Sequence, residues 1–214
     1  MKALNLEARN QIHQTAWIEE GAVLGKDNYI GPNTYIGSNV RIGDNNLISG
    51  FSSIGMPAEH RDFFRKEGEV IIGSHNVIRE FVTVNSSTRY ITLMGNNCVM
   101  LRGSHLSHDS ILEDYVNVSC NVLIGGESHI MRGANLGLGS IIHQRQVIGS
   151  YCMIGMGAVI TKTAACTPGA VMVGNPAKYL KRNDVGLKRF NVDSLHVECA
   201  RFDAITNKIS GRKN

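Results

Sequence analysis

An aliphatic side chain recurs at every sixth position through most of this chain. Ile12, Ile18, Leu24, Ile30, Ile36, Ile42, Ile48 and Ile54 form an unbroken series of eight, and the same phase resumes at Ile72, Ile78 and Val84. A second break shifts the phase by four, and twelve more positions follow: Met94, Met100, Leu106, Leu112, Val118, Ile124, Ile130, Leu136, Ile142, Ile148, Ile154 and Ile160. A period of six fits neither the 3.6-residue helical turn nor simple strand alternation; it fits a short strand followed by a tight turn, repeated. Three hexads close one triangular coil of 18 residues, each face becomes a parallel sheet, and the inward aliphatics stack coil upon coil. The spacing predicts an all-β solenoid, a parallel β-helix of hexapeptide repeats.

Glycine often follows the aliphatic residue, as at Gly25, Gly31, Gly37, Gly43, Gly95, Gly149 and Gly155, and Asn or Asp crowds the same turns. These residues tolerate positive φ, so the turns are expected to use it there. Residues 56–68 and, more briefly, 86–92 leave the repeat. Loops thrown out from a rigid solenoid are where ligand contacts are usually placed. Beyond Ile160 the pattern decays, and the domain division expected is a β-helix over 1–177 and a short helical segment over 178–214. Helices are predicted around 184–190 and 193–207, positioned to cap the open end of the solenoid.

Composition sharpens this picture. The chain is 43% hydrophobic but only 6% aromatic, so its core is built from aliphatic and small side chains. The net charge of +4 comes from the end of the chain, where residues 178–214 carry nine Lys or Arg against four Asp or Glu. Such a tail suits phosphates or an acidic partner, and equally a solvated surface. Nucleic-acid binding is not expected, because the interleaved aromatics that stack bases are missing. Neither a leader peptide nor an apolar run of membrane-spanning length is evident, and a cytoplasmic protein is the expectation. Cys98, Cys120, Cys152, Cys166 and Cys199 are widely spaced and read as reduced, buried thiols.

The densest polar group is His105-Leu106-Ser107-His108-Asp109, with Leu106 inward and His108 pointing out of the prism. One coil of 18 residues beyond His108 is Gly126, and one more is Gln144, so these three form a surface column. Ser107, Gly125 and His143 form the column beside it. A histidine stacked on a glycine is a chemically useful pair: the glycine admits a substrate close to the backbone, and its N–H can polarise a carbonyl. His108 is then placed to take a proton from a hydroxyl or amine, with Asp109 setting its tautomer and basicity. A solvated surface histidine is the bland alternative, and it remains the reading for His13, His75, His129 and His196.

The stretch from Ile72 to Arg189 resembles the acyl-carrier-protein-dependent UDP-N-acetylglucosamine O-acyltransferases of lipid A synthesis, within the wider group of hexapeptide-repeat acyltransferases. Ile78-Arg79-Glu80, His105 to Asp109, Ile142-His143-Gln144, Gly174-Asn175 and Gly186-Leu187-Lys188-Arg189 carry the likeness. The resemblance implies a left-handed coil, a homotrimer with sites between subunits, and no tightly bound cofactor or metal. It implies an acyl-carrier-protein or coenzyme A thioester as co-substrate and a sugar nucleotide as acceptor. On it His108 corresponds to the general base, Asp109 to its partner and Gly126 to the oxyanion N–H. His105, His143, Gln144, Asn183 and Arg189 correspond to substrate or acyl-chain contacts.

Departures fall on the acceptor side. His60 and Asp62 stand where the family's loop has an Asp and a Lys that hold the sugar nucleotide, Glu127 stands for a histidine, and Val185 for a glutamate. Met156 occupies the place where a methionine closes the acyl channel early, which implies a short acyl group; filling space between subunits is its structural alternative. An N-acyltransferase for an amino-sugar nucleotide, a zinc hydratase of carbonic-anhydrase type using His105, His108, His129 or His143, and a non-catalytic scaffold are the rival readings.

Overall fold

The computed structural model describes residues 10–60 and 68–212. Within them the chain forms a parallel β-solenoid of about nine turns. Its strands, mostly two to four residues long, fall into three sheets of ten, eight and seven strands. Sheet 1 collects the inward residues Ile12, Ile30, Ile48, Ile78, Met100, Val118, Leu136 and Ile154; sheet 2 collects Ile18, Ile36, Ile54, Val84, Leu106, Ile124, Ile142 and Ile160. Sheet 3 collects Leu24, Ile42, Ile72, Met94, Leu112, Ile130 and Ile148.

From Ile30 to Ile160 every one of these side chains is buried, whereas Ile12 is 47% exposed at the first coil. The repeat runs further than the sequence pattern suggested. Cys166 bridges to Ile148 at the inward position of sheet 3, and Met172 pairs with Ile154 in sheet 1, both fully enclosed. A thiol fills the same slot as an aliphatic group, so Cys166 interrupted the visible series six residues after Ile160 and separated Met172 from it.

The turns correct one expectation. Positive φ falls mostly three residues after the inward position, on Asp27, Asn45, Asp109, Tyr115, Glu127, Arg145 and others; of the glycines that directly follow an inward residue, Gly55 has it and Gly25, Gly31, Gly37, Gly43, Gly95, Gly149 and Gly155 do not. A glycine there answers a different need: a Cβ at Gly31 would sit 2.6 Å from the Gly50 nitrogen of the next coil. Coils pack so closely at this point that only a missing side chain fits.

A second device ties the coils together at the corner between sheets 3 and 1. Asn28, Asn46 and Asn76 form a buried ladder in which Asn46 Nδ2 donates to Asn28 Oδ1 (3.0 Å) and to the Gly73 carbonyl (3.0 Å). Asn46 Oδ1 in turn accepts from the Asn76 amide at 2.9 Å, and Asn76 Oδ1 from the Cys98 amide.

Residues 178–214, expected to be helical, open instead with the strand Lys178–Arg182. It runs antiparallel to Ala170–Val173 and covers the last edge of sheet 1. Helices α1 (Asp184–Arg189) and α2 (His196–Ser210) follow. Helix α2 does not cap the end of the solenoid. Phe202 and Ile209 pack on Met131 and Val147, on the flank of sheet 3. The outward Met131 and Val147 supply an apolar strip there, and burying it holds the helix on the flank.

A charged cluster completes the docking. Glu113 accepts from His129 Nε2 (2.8 Å), Arg201 Nη2 (2.8 Å) and the Arg132 amide (3.0 Å). Burial works against the Glu113 carboxylate, but the donors from His129, Arg201 and Arg132 outweigh it and hold its pKa down to about 2. Glu198 of α2 bonds Ser150 as well as Arg201. Among the described residues no helix is long and apolar enough to cross a membrane. The thiols divide: Cys98, Cys152 and Cys166 are buried, Cys120 is half-buried, and Cys199 on α2 is exposed, contrary to the expectation that all are enclosed.

Two outcomes follow from these contacts. Asn46→Ala strips partners from the Asn76 amide and the Gly73 carbonyl, and equilibrium denaturation should show a loss of roughly 2–4 kcal/mol; a midpoint equal to the wild type would remove the ladder from the account of stability. Glu113 has a folded-state pKa below its unfolded value, so its contribution is present above about pH 4.3 and lost as pH falls toward about 2. Denaturation midpoints of Glu113→Gln should therefore lie below wild type at pH 7 and converge with it across that window, whereas a gap independent of pH would contradict this role.

Candidate active site

Both excursions leave the solenoid at one corner, where the chain passes from sheet 2 to sheet 3, after Ile54 and after Val84. In later coils the same corner holds Ser107–Ser110, Gly125–Ser128 and His143–Gln146 without insertion. Backbone bonds stack these turns directly, Glu127 N–H to the His108 carbonyl and Arg145 N–H to the Gly126 carbonyl, each at 2.9 Å. His108, Gly126 and Gln144 therefore form the expected column. An added Cβ on Gly126 would fall 2.6 Å from His108 Nε2, so the imidazole lies against a bare backbone.

His108 points out of the prism, as its position relative to Leu106 requires, yet it is only 7% exposed. His60 of the first excursion and the 86–92 loop roof over it and its neighbour. The His60 ring meets it edge to face at 5.3 Å, and the 86–92 loop wraps its neighbour Asp109. The Asp109 carboxylate accepts from the amides of Thr88 (3.0 Å), Arg89 (3.0 Å) and Tyr90 (2.7 Å), from the Thr88 hydroxyl (2.6 Å) and from His108 Nδ1 (2.7 Å). Burial alone would favour the neutral acid, but these donors, with His108 and Thr88 foremost, hold Asp109 well below the usual carboxylate range. An ionised carboxylate only accepts, so the shared proton resides on Nδ1, and Nε2 is the ring nitrogen turned toward Gly126. Asp109 has φ +58°, but Tyr115 and Asn121 share that conformation, so it belongs to the coil and not to the site.

A cleft of about 350 Å³ opens in front of His108, lined by His60, Thr88, Arg89, Glu127, Gln144 and Arg145. Glu127 pairs with Arg145 (2.9 Å) and, at 3.6 Å, with Arg212 just beyond α2; the Arg212 guanidinium lies 4.0 Å from the Tyr90 ring centroid. A second cleft, of about 390 Å³, begins at Gln144 and Arg145 and includes His143. His143 is exposed, its Nδ1 donating to the Gln144 carbonyl at 2.9 Å. His105 lies beside them on sheet 2, bonded to Thr83 Oγ1 at 2.7 Å. Burial lowers its pKa, and the nearby Glu59 acts in the opposite sense.

The chain by itself does not bring every sequence candidate to this corner. Asn183 caps α1, accepting from the Gly186 amide and donating to the Tyr151 carbonyl, at the corner between sheets 3 and 1. Arg189 stacks over Phe190 on that same side. Met156, 73% exposed, lies at the third corner, between sheets 1 and 2. Asp62 lies outside the described residues. His129 faces outward on sheet 3 against Glu113, away from the other histidines. Sequence reasoning missed Thr88, Arg89 and Tyr90, although they sit in an excursion it had singled out. It also missed Arg145, which one further step of 18 residues along the Asp109–Glu127 column reaches.

Comparison with known proteins agrees with this architecture. The family model "Bacterial transferase hexapeptide (six repeats)" matches residues 11–55. The acyl-[acyl-carrier-protein]–UDP-N-acetylglucosamine O-acyltransferases of Pseudomonas fluorescens (strain Pf0-1) and Stutzerimonas stutzeri (strain A1501) are each 33% identical over 157 residues, covering 71% of this chain. The chain spans 60% of the length of these curated relatives. Among solved structures, LpxA from Acinetobacter baumannii superimposes with a TM-score of 0.76 at 28% identity, covering 94% of this chain and 90% of that one. The UDP-N-acetylglucosamine O-acyltransferase of Moraxella catarrhalis gives 0.64 at 31% identity, with 85% and 76% covered. A solenoid of the opposite hand would not superimpose over such a length, so the coil is left-handed as in those structures. Repeat, hand and sequence identity agree, and the chain belongs to the hexapeptide-repeat UDP-N-acetylglucosamine acyltransferase family.

Proposed function

We propose that this protein transfers an acyl group, of the 3-hydroxyacyl type, from an acyl-carrier-protein or coenzyme A thioester to a hydroxyl of a sugar nucleotide, UDP-N-acetylglucosamine being the first choice. The observation that carries the proposal is the roofed His108–Asp109 pair with Nε2 against Gly126. His108 Nε2 takes the proton of the acceptor hydroxyl as its oxygen attacks the thioester carbonyl, and Asp109 stabilises the imidazolium that forms. The Gly126 N–H, which the backbone ladder leaves unused, donates to the oxyanion of the tetrahedral adduct. Collapse re-forms the carbonyl and breaks the carbon–sulfur bond, and the leaving thiolate recovers the proton from His108. Enclosure by the two excursions strengthens each of these interactions by excluding water.

Three copies in a cyclic homotrimer complete the site in this reading. Leu123 and Ile141 on sheet 2, with Leu138 and Met156 at the adjoining corner, leave an apolar strip 42–73% exposed at each residue, suited to a neighbouring copy and to an acyl chain. Met156 then limits the length of that chain, and Asn183 and Arg189 reach a site from an adjacent copy. Residues 178–214 act as an appendage to a β-helical unit formed by 1–177, and acyl-carrier-protein recognition falls to its basic surface.

The acceptor side supports a second reading. His60 stands over His108, and Glu127, tied to Arg145 and Arg212, occupies the floor of the cleft. These residues depart from the family's pattern on the acceptor side, so acylation of an amino-sugar nucleotide is the alternative.

Mass-spectrometric assay of the purified protein with 3-hydroxyacyl carrier protein or acyl coenzyme A, against UDP-N-acetylglucosamine and amino-sugar nucleotides, decides between the two. Short donors should be preferred to long ones, with Met156→Gly extending the range. His108→Ala should lower turnover by about a hundredfold or more while leaving secondary structure and assembly unchanged; near-normal turnover in that variant would sink the mechanism.

A further inference from the structure

The column that places His108 above Gly126 and Gln144 continues one coil further, to Lys162. Lys162 is exposed and makes no ion pair or hydrogen bond among the described residues. It lines the 390 Å³ cleft together with Arg145 and Arg212, the latter brought there by the docking of α2 on the flank of sheet 3. This cleft shares Gln144 and Arg145 with the one in front of His108. Among the described residues that line the joined space, Arg89, Arg145, Lys162 and Arg212 are accompanied by one carboxylate, Glu127. The Glu127 contacts fix the guanidiniums of Arg145 and Arg212 in place, and Lys162 adds a cation with no counter-charge among the described residues, so positive charge gathers along the cleft.

We infer that Lys162, Arg145 and Arg212 form a phosphate-binding annex to the His108 cleft, holding a phosphate of a substrate whose reacting end lies at His108. Guanidiniums and an ammonium converging on one cleft are matched to phosphate oxygens in both charge and donor geometry. Coils stack about 4.8 Å apart, so Lys162 lies roughly 14 Å from His108 along the column. That span suits an extended pantetheine arm, whose thioester and phosphate sit at opposite ends. It is long for a sugar nucleotide, whose diphosphate is attached within one ring of the acceptor hydroxyl. The inference deepens the acyl-transfer reading and rests on it for the identity of the substrate alone.

Titration calorimetry of the full chain with 4′-phosphopantetheine, pantetheine, UDP-N-acetylglucosamine and N-acetylglucosamine tests it. Lys162→Gln should weaken 4′-phosphopantetheine about tenfold or more and leave pantetheine unchanged, with Lys162→Arg close to wild type. A loss confined to UDP-N-acetylglucosamine, with N-acetylglucosamine unaffected, would also support the annex and give its phosphate to the acceptor. Equal affinities for all four probes in wild type, Lys162→Gln and Arg212→Gln would overturn it. Should no acyl transfer be found while Lys162→Gln still loses the phosphate-bearing probe, the annex stands and the acyl-transfer reading falls.

Discussion

The hydrogen bond from one coil to the next is the constraint on which the rest of this molecule depends. Gly31 donates to the Ile48 carbonyl, His105 to Val122 and Gly125 to Ile142, each partner lying 17 residues on. With parallel strands in register, a sequence separation of 18 becomes a vertical step of one strand spacing. The core follows directly, since every inward aliphatic sits on its counterpart and is shielded by three sheets. So do the columns at the corners, because whatever side chain occupies a turn lies on the equivalent turn of the next coil. The tight glycines and the asparagine ladder serve this stacking: the first remove a steric obstacle to it, and the second adds side-chain bonds in the same direction.

A repeat of this kind tolerates insertion only where the chain passes between sheets, and both long departures use the same corner. The consequence is electrostatic. An outward histidine that would otherwise be solvated is enclosed, and a neighbouring carboxylate is taken from water and repaid with five hydrogen bonds from a single loop and its own imidazole neighbour. Such a carboxylate stays ionised while buried, and it orders the proton on the histidine beside it. The coil supplies position and the loops supply environment.

Helix α2 contributes charge as well as packing. Its apolar side covers Met131 and Val147, its Arg201 and Glu198 join the Glu113 cluster, and the chain leaving it carries Arg212 to Glu127 and Tyr90. A segment that in sequence looks like a generic basic tail thus borders the candidate site. Its position on the flank, not at the end, makes this possible.

The sequence by itself determined the solenoid, its coil length, the inward residues from Ile12 to Ile160 and the column His108–Gly126–Gln144. Each of these depends only on periodicity and on strand pairing in register, which are local and repetitive. It also marked the two excursions, because a broken period is visible without knowing where the chain goes. Other features were decided by the tertiary structure alone. The roof over His108, the wrapping of Asp109 by Thr88, Arg89 and Tyr90, the docking of α2 on sheet 3 and the meeting of Arg212 with Glu127 join segments with no fixed spacing between them. Non-periodic loops and side-on helices are placed by packing and charge in three dimensions, and no repeat in the sequence encodes their partners.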